Sequence, residues 1–516
     1  LTIFTIVKSA VIEGIDSKLV SVETDVSNGI PYFEMVGDLA HNVKEAKERV
    51  KTAIKNSGFQ FPPKHIIINI APADIKKKGT VFELPIALGI LAGLGYVDNS
   101  ALNDRLFVGE MSLDGKINPV NGVLAMVYDA RKQGIKEVIL PRKNAFEGAV
   151  IEGIKIIGVD DLRQTIDYLN GKIHIKEENL DIDSYIKNNE KIVEDFSQIN
   201  GQESLKRAIE VAVAGFHNIL MIGPPGAGKT MAAKRIPTIM PPLSKEEILE
   251  ISKIYSIAGS LPDNSPLITK RPFRQPHHTV TKNALTGGGR RPIPGEISLA
   301  HKGVLFLDEI PEFNRDTLDI LRQPLEEKRI VINRVYSSCI YPADFMMVAA
   351  ANPCKCGNFP DMDKCTCTRK EILNYLKSIS GPLLDRIDIC VEASKVSYDE
   401  IFNLKENESS KIICERVMKA LDIQKERLKA CGKKYNSSLN AGEIKEFCRL
   451  GEEEMNYMKK VFETLELSVR SYHKILKTAR TIADLDESKD IKKIHLSEAV
   501  CYRSIDKKYW KSQWGM

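Results

Sequence analysis

Tryptophan, long apolar runs and an excess of either charge are all scarce in this sequence. Its 516 residues carry 74 Lys and Arg against 69 Asp and Glu, a formal net charge of +5. That bias is too slight to name a nucleic-acid partner from composition. The longest run without Asp, Glu, Lys, Arg or His is Leu84–Val97 (LPIALGILAGLGYV), broken by Pro85, Gly89, Gly93 and Gly95. It falls short of the roughly 20 apolar residues that cross a bilayer, so no membrane partner is expected. The amino terminus (LTIFTIVKSAVIEG) has no basic segment before its apolar residues and no small-residue cleavage pattern, which argues against a secretory signal. There is no disulfide framework either. Of the 10 cysteines, Cys354, Cys356, Cys365 and Cys367 crowd together and the rest are scattered through amphipathic segments, which suits a reducing cytoplasm and one metal site. With 43% hydrophobic and 28% charged residues the composition is that of ordinary globular domains, and no solenoid-length repeat is found.

What is present divides the chain. Residues 1–170 alternate β-branched runs with helix-like stretches and read as one α/β domain. Residues 171–196 are polar and charge-dense, and we read them as a linker. Residues 197–395 hold further strand-like runs ending in glycine-rich or polar turns, a second α/β domain. Residues 396–516 are rich in Lys, Glu and Leu at helical spacing with few Gly or Pro, so the last domain is expected to be helical.

The second domain carries the clearest chemistry. HNILMI, ending at Ile222, is an apolar strand that runs into Gly223, Pro224, Pro225, Gly226, Ala227, Gly228, Lys229 and Thr230, followed by the helical MAAKRIPTI. In such a loop the glycines let successive N–H groups turn toward one anion. Lys229 meets the β- and γ-phosphates of ATP, and Thr230 offers its hydroxyl to Mg²⁺. Downstream, GVLFLDE is an apolar strand ending in Asp308 and Glu309. Alone, such a run is as often an ordinary buried strand. Paired with the loop it marks an ATPase, with Asp308 in the Mg²⁺ shell and Glu309 polarising the attacking water.

Four segments, NGQESLKRAIEVAVAGFHNILMIGPPGAGKT, RPFRQPHHTVTKNALTGGG, PGEISLAHKGVLFLDEIPEF and GPLLDRIDI, resemble magnesium-chelatase-like AAA+ ATPases. With NIAPADIKKKGTVFELPIALGIL and FVGEMSLDGKINPVNGVL in the first domain, the resemblance is to the ComM/YifB type over nearly the whole length. It implies a Lon-protease-like α/β N-terminal domain, an AAA+ P-loop α/β domain and a C-terminal helical lid. By this resemblance Asn352, ending AAAN, is similar to the sensor-1 residue, Arg386 in LLDRID to the arginine finger given to a neighbouring subunit, and Arg470 in SVR to the sensor-2 arginine. An arginine acting on a neighbour requires a ring, and a homo-hexamer is implied. The implied activity is an ATP-driven DNA motor, a branch-migration helicase for branched or single-stranded DNA in recombination or natural transformation. The alternative is a chelatase-like or remodelling ATPase that moves a protein partner.

Further features bear on partners, metals and activity. No acid lies between Asp263 and Glu296, while Lys270, Arg271, Arg274, Lys282, Arg290 and Arg291 do. Six cations without anions form a phosphate-binding composition, and Lys282, Arg290 and Arg291 are the candidate DNA contacts. The four clustered cysteines, spaced CxC and CxC, can close a tetrahedral Zn²⁺ site without catalytic function. In the first domain Val81 and Leu124 stand where a Lon-type protease would have its Ser and Lys. Neither can attack an amide, with Lys78 and Thr80 aimed differently, so no protease is expected. At the end of the chain, Trp510 and Trp514 among lysines are either a base-stacking tail or a docking tail. His65, His473 and His495 are read as plain helix or strand histidines.

Overall fold

The β-branched runs at the start of the chain bury alternate side chains, as a sheet covered on one face requires. Ile3–Glu13 (β1) and Asp16–Ser27 (β2) form an antiparallel hairpin, with Ile3 opposite Val26 and Glu13 opposite Asp16. Tyr32–Val36 (β3), His65–Ala71 (β4), Arg105–Phe107 (β5), Glu137–Pro141 (β6) and Lys155–Val159 (β7) complete a seven-stranded mixed sheet in the order β3-β4-β2-β1-β5-β6-β7. This is a computed structural model, and it describes residues 3–77, 79–188, 194–262, 265–289, 293–334, 337–361, 363–394 and 407–510.

The charge-free run is core. Glu83–Gly93 (α1) is buried at every residue and lies on β1 and β2, where the Thr5 hydroxyl donates to the Gly89 carbonyl at 3.1 Å. Glu83, fully buried at its start, is held by Arg49 at 2.5 Å and by the Met111 N–H at 2.7 Å. Among the described residues no helix is long and apolar enough to cross a membrane. Val123–Lys132 (α2) and Arg142–Gly148 (α3) also belong to this unit. The expected linker starts packed rather than free: Ile175 is buried and the Glu178 N–H donates to Ile156 O at 3.0 Å. Within KIHIKEE it is Ile175 that supplies the buried side chain, while Ile173 stays exposed.

The second sheet is parallel throughout. Ile219–Ile222 (β8), Phe273–Arg274 (β9), Val304–Leu307 (β10), Met346–Ala351 (β11) and Ile389–Glu392 (β12) lie in the order β9-β10-β11-β8-β12. Strands β8, β10 and β11 are buried at every residue, as parallel strands with both faces covered must be. Lys229–Ile239 (α4) follows β8. After it the chain leaves this unit: Lys245–Ala258 (α5) packs with the first sheet's unit. Ser256 donates to the buried Glu147 at 2.5 Å, the Gly122 N–H donates to Ser256 O at 3.1 Å, and Lys253 Nζ lies 3.3 Å from the Tyr128 ring centre.

The two compact units are therefore 1–190 with 245–269 and 331–340, and 191–244 with 270–330 and 341–516. The contiguous 197–395 domain expected from the sequence is interrupted, because Ile248, Ile251 and Ile254 of α5 find their apolar partners in the first unit. The expected boundary at 395/396 lies outside the described residues. Beyond it Ser410–Leu428 (α6), Val469–Leu485 (α7) and Lys493–Trp510 (α8) are helical, as expected. Their Val417, Ile475, Ile482 and Leu496 share one hydrophobic core with Ile219, Met221 and Phe306 of the sheet.

Candidate active site

The phosphate loop hangs between β8 and α4 at the carboxyl end of the parallel sheet. Gly226 and Gly228 have φ of +78° and +81°, the left-handed region that a side chain resists. Lys229 is the first residue of α4 and is only 8% exposed. Its ammonium donates to Gly223 O at 2.6 Å, Pro224 O at 3.0 Å and Asn352 Oδ1 at 3.1 Å. Burial pulls its pKa below the usual lysine value, against the opposing pull of Asp308 and Glu309. Thr230 Oγ1 donates to Asp308 Oδ2 at 2.8 Å, so a hydroxyl and a carboxylate converge where a hard cation finds oxygen donors. Glu309 is exposed, with φ of +49°, at the mouth of the site. Asn352 directly follows β11, the strand between the loop strand and the acid-bearing strand. The structure thus brings Lys229, Thr230, Asp308 and Asn352 into contact, with Glu309 adjacent.

Arg386 and Arg470 lie together elsewhere. They line a groove of about 230 Å³ with Glu326, His473, Lys474 and Lys477. Arg386 donates to Pro382 O at 2.7 Å and pairs with Glu326. Arg470 is 69% exposed and stands 3.9 Å from Asp385. Among the described residues neither arginine bonds to Lys229, Thr230, Asp308 or Glu309. His473, read from the sequence as a plain helix histidine, is in this groove, and Lys474 and Lys477 were not singled out. The signal was available, since residues 470, 473, 474 and 477 share one helical face.

The four cysteines meet. Sγ of Cys354 is 3.3 Å from that of Cys356 and 3.7 Å from that of Cys365, and all four sulfurs lie within 4.8 Å of one another. Four thiolates around tetrahedral Zn²⁺ would sit about 3.8 Å apart, so the cluster can hold a metal ion. Backbone N–H groups, that of Asn358 first, pull the Cys356 thiol down to about 5. Gly357 brings this loop onto the phosphate loop: a Cβ there would meet Pro225 Cδ at 2.3 Å.

The acid-free segment is not free of acids in space. Arg274 makes two 2.7 Å bonds to Glu296, Lys282 reaches Asp316 at 3.2 Å, and Arg271 is buried on the carbonyls of Pro241 and Lys302 at 2.8 and 2.7 Å. Lys282 remains 53% exposed. Arg290 and Arg291 lie outside the described residues. Trp510 is docked, donating to Leu376 O at 2.9 Å, while Trp514 and Lys511 lie outside the described residues. Val81 and Leu124 are buried, Thr80 donates to Glu110 and Lys77 to Pro72 O. No hydroxyl–lysine pair forms there among the described residues, and Lys78 is outside them. His65 stacks on Tyr32 with ring centres 5.4 Å apart, and His495 is buried.

A parallel sheet with the acid-bearing strand one strand removed from the phosphate-loop strand, and Lys229, Thr230, Asp308 and Asn352 joined, defines an AAA+ ATPase. The family models described as Magnesium chelatase, subunit ChlI, Subunit ChlI of Mg-chelatase, and Magnesium chelatase, subunit ChlI C-terminal match residues 195–401, 22–144 and 407–503. Competence protein ComM of Haemophilus influenzae is 40% identical over 503 residues, 97% of each chain. Protein YifB of Escherichia coli is 40% identical over 499 residues, 96% of each. Lon protease 2 of Bacillus subtilis is 28% identical over 148 residues, 27% of this chain and 26% of that protein. The chain belongs to the ComM/YifB-type magnesium-chelatase-like family.

Proposed function

We propose that this AAA+ ATPase forms a homo-hexameric ring and works as an ATP-driven DNA motor, a branch-migration helicase in recombination or natural transformation. The observation that carries this reading is the match to a competence protein along 97% of both chains. The phosphates of ATP replace the carbonyls of Gly223 and Pro224 as partners of Lys229. Mg²⁺, when bound, would neutralise phosphate charge; Thr230 and Asp308 are the donors that would hold it. Glu309 orients the water and accepts its proton, and Asn352 aligns the γ-phosphate. Arg386 brings charge to the ATP of a neighbouring subunit as an arginine finger, and Arg470 acts as the sensor-2 arginine. Cys354, Cys356, Cys365 and Cys367 hold a structural Zn²⁺ whose four thiolates leave no position for catalysis, in the reducing cytoplasm.

DNA meets Lys282, Arg290 and Arg291. The Lys282–Asp316 pair is an exposed one, worth about 0–1 kcal/mol, and yields readily to a phosphate. The second reading, a chelatase-like ATPase acting on a protein partner, is favoured by the ChlI family models. Steady-state ATP hydrolysis with no DNA, linear duplex, single strands and a four-way junction separates the two, with Lys229→Ala as the blank. Stimulation by branched DNA is expected. Equal rates with every DNA would move the protein-remodelling reading to the front.

A further inference from the structure

The groove that holds Arg386 and Arg470 is tied from below to the strand that carries the phosphate loop. The tie starts at Asn218, just before β8. Its Nδ2 donates to the Arg386 carbonyl at 2.9 Å, and its Oδ1 accepts from the Met347 N–H of β11 at 2.9 Å. Its own carbonyl accepts from the N–H groups of Asp388 and Ile389 at 3.0 and 3.1 Å, and its N–H donates to Asp388 Oδ2 at 3.3 Å. One side chain and its backbone thus bond to the finger segment from both ends and to the strand that leads to Asn352.

The second half of the tie is ionic. Asp388 faces Lys474 Nζ at 3.4 Å and the fully buried His217 Nδ1 at 3.4 Å. Lys474 also donates to Ile387 O at 2.8 Å, and His217 Nε2 shares a 2.9 Å hydrogen bond with Thr481. Lys474 and Thr481 belong to α7, the helix whose second residue is Arg470. A lysine one turn from Arg470 and an aspartate two residues from Arg386 therefore lock both arginines onto one support. Burial favours neutral Asp388, but Lys474 and His217 outweigh it and keep the carboxylate well below its usual range.

We propose that Asn218, Asp388 and Lys474 are positioning residues that hold Arg386 and Arg470 as one rigid pair at the face offered to a second copy of this chain. The proposal rests on the reading of Arg386 as acting on a neighbour's ATP, with Arg470 beside it. Asn218 is the sharpest probe, because aspartate keeps the acceptor for Met347 and replaces the donor to Arg386 with a repelling oxygen. A misplacement of about 1 Å at a reacting group costs on the order of 100-fold in rate. Asn218→Asp is therefore expected to lower kcat about 100-fold while KM for ATP, set by the intact loop, stays unchanged. Lys474→Met is expected to do the same and Lys474→Arg to restore most of the rate. Because Lys474→Met strands a buried carboxylate, the paired Lys474→Met/Asp388→Asn variant serves if the single one fails to fold.

Mixed oligomers decide the matter. A Lys229→Ala subunit supplies sound arginines but no ATP, whereas an Asn218→Asp subunit supplies ATP but displaced arginines. Mixing these two impaired preparations is expected to recover hydrolysis, and so is mixing Arg386→Ala with Lys229→Ala. Recovery in the Arg386→Ala mixture but none with Asn218→Asp would overturn the tie alone, as would a normal kcat for Asn218→Asp. Silence in the Arg386→Ala mixture would overturn the neighbour reading, and the tie with it.

Discussion

Asp344 shows how a single partly buried acid supports the site from outside it. It pairs with Lys302 at 2.7 Å and Lys328 at 2.9 Å, and its carbonyl accepts from the Lys302 N–H at 2.7 Å, pinning the turn that feeds β10 and so Asp308. Burial pushes its pKa up, yet Lys328 and Lys302 win and hold it at about 2. A depressed carboxylate stabilises the fold above its unfolded pKa, near 4, and loses that contribution as pH falls through 2. The shift is worth about 2 kcal/mol at neutral pH and about half of that at pH 3. Urea unfolding of Asp344→Asn should therefore fall short of the parent by about that much at pH 7, with a gap that narrows at pH 3. A gap independent of pH would assign the loss to packing instead. The same residue shows where sequence reading stops. Lys229, Thr230, Asp308 and Glu309 were legible because local spacing and strand ends place them. Asp344, Asn218 and Asp388 act through partners tens to hundreds of positions away, and no local pattern marks them.

At the scale of elements, the cysteine loop and the phosphate loop act on each other through one glycine. Gly357 has φ of +78° and no room for a Cβ beside Pro225. Gly357→Ala adds left-handed strain of about 1 kcal/mol at that contact, enough to raise KM for ATP about fivefold. Metal content should stay at the parent's level, since the cysteines are untouched. An ATP titration beside metal analysis of the same preparation checks both, and an unchanged KM would mean that the two loops move independently. Clustering of the cysteines was legible, because short turns bring CxC pairs together whatever surrounds them. The acidic partners of the acid-free segment were not legible, for the opposite reason. Glu296 lies at its very border and Asp316 beyond it, and folding returns both to Arg274 and Lys282.

For the whole molecule, helix content and strand alternation made both sheets and the C-terminal helices legible, whereas the division into units was not. Periodicity shows that Ile248, Ile251 and Ile254 want an apolar partner, but not which one, and α5 finds it in the first unit. A fragment ending at residue 190 lacks α5 and leaves the buried Glu147 without Ser256. It should show no cooperative thermal transition by circular dichroism, while the same fragment joined to residues 245–269 regains one. A sharp transition in the short fragment alone would show that α5 is dispensable.

The same interleaving sets an order of events during synthesis. The ribosome finishes the first 190 residues long before it reaches 331–340, the last piece of that unit, and most of the ATP site emerges in between. At roughly 5–20 residues per second, the first unit waits on the order of ten seconds for that piece. The first unit therefore gains its last piece only after the segments that carry Lys229, Thr230, Asp308 and Glu309 have been made.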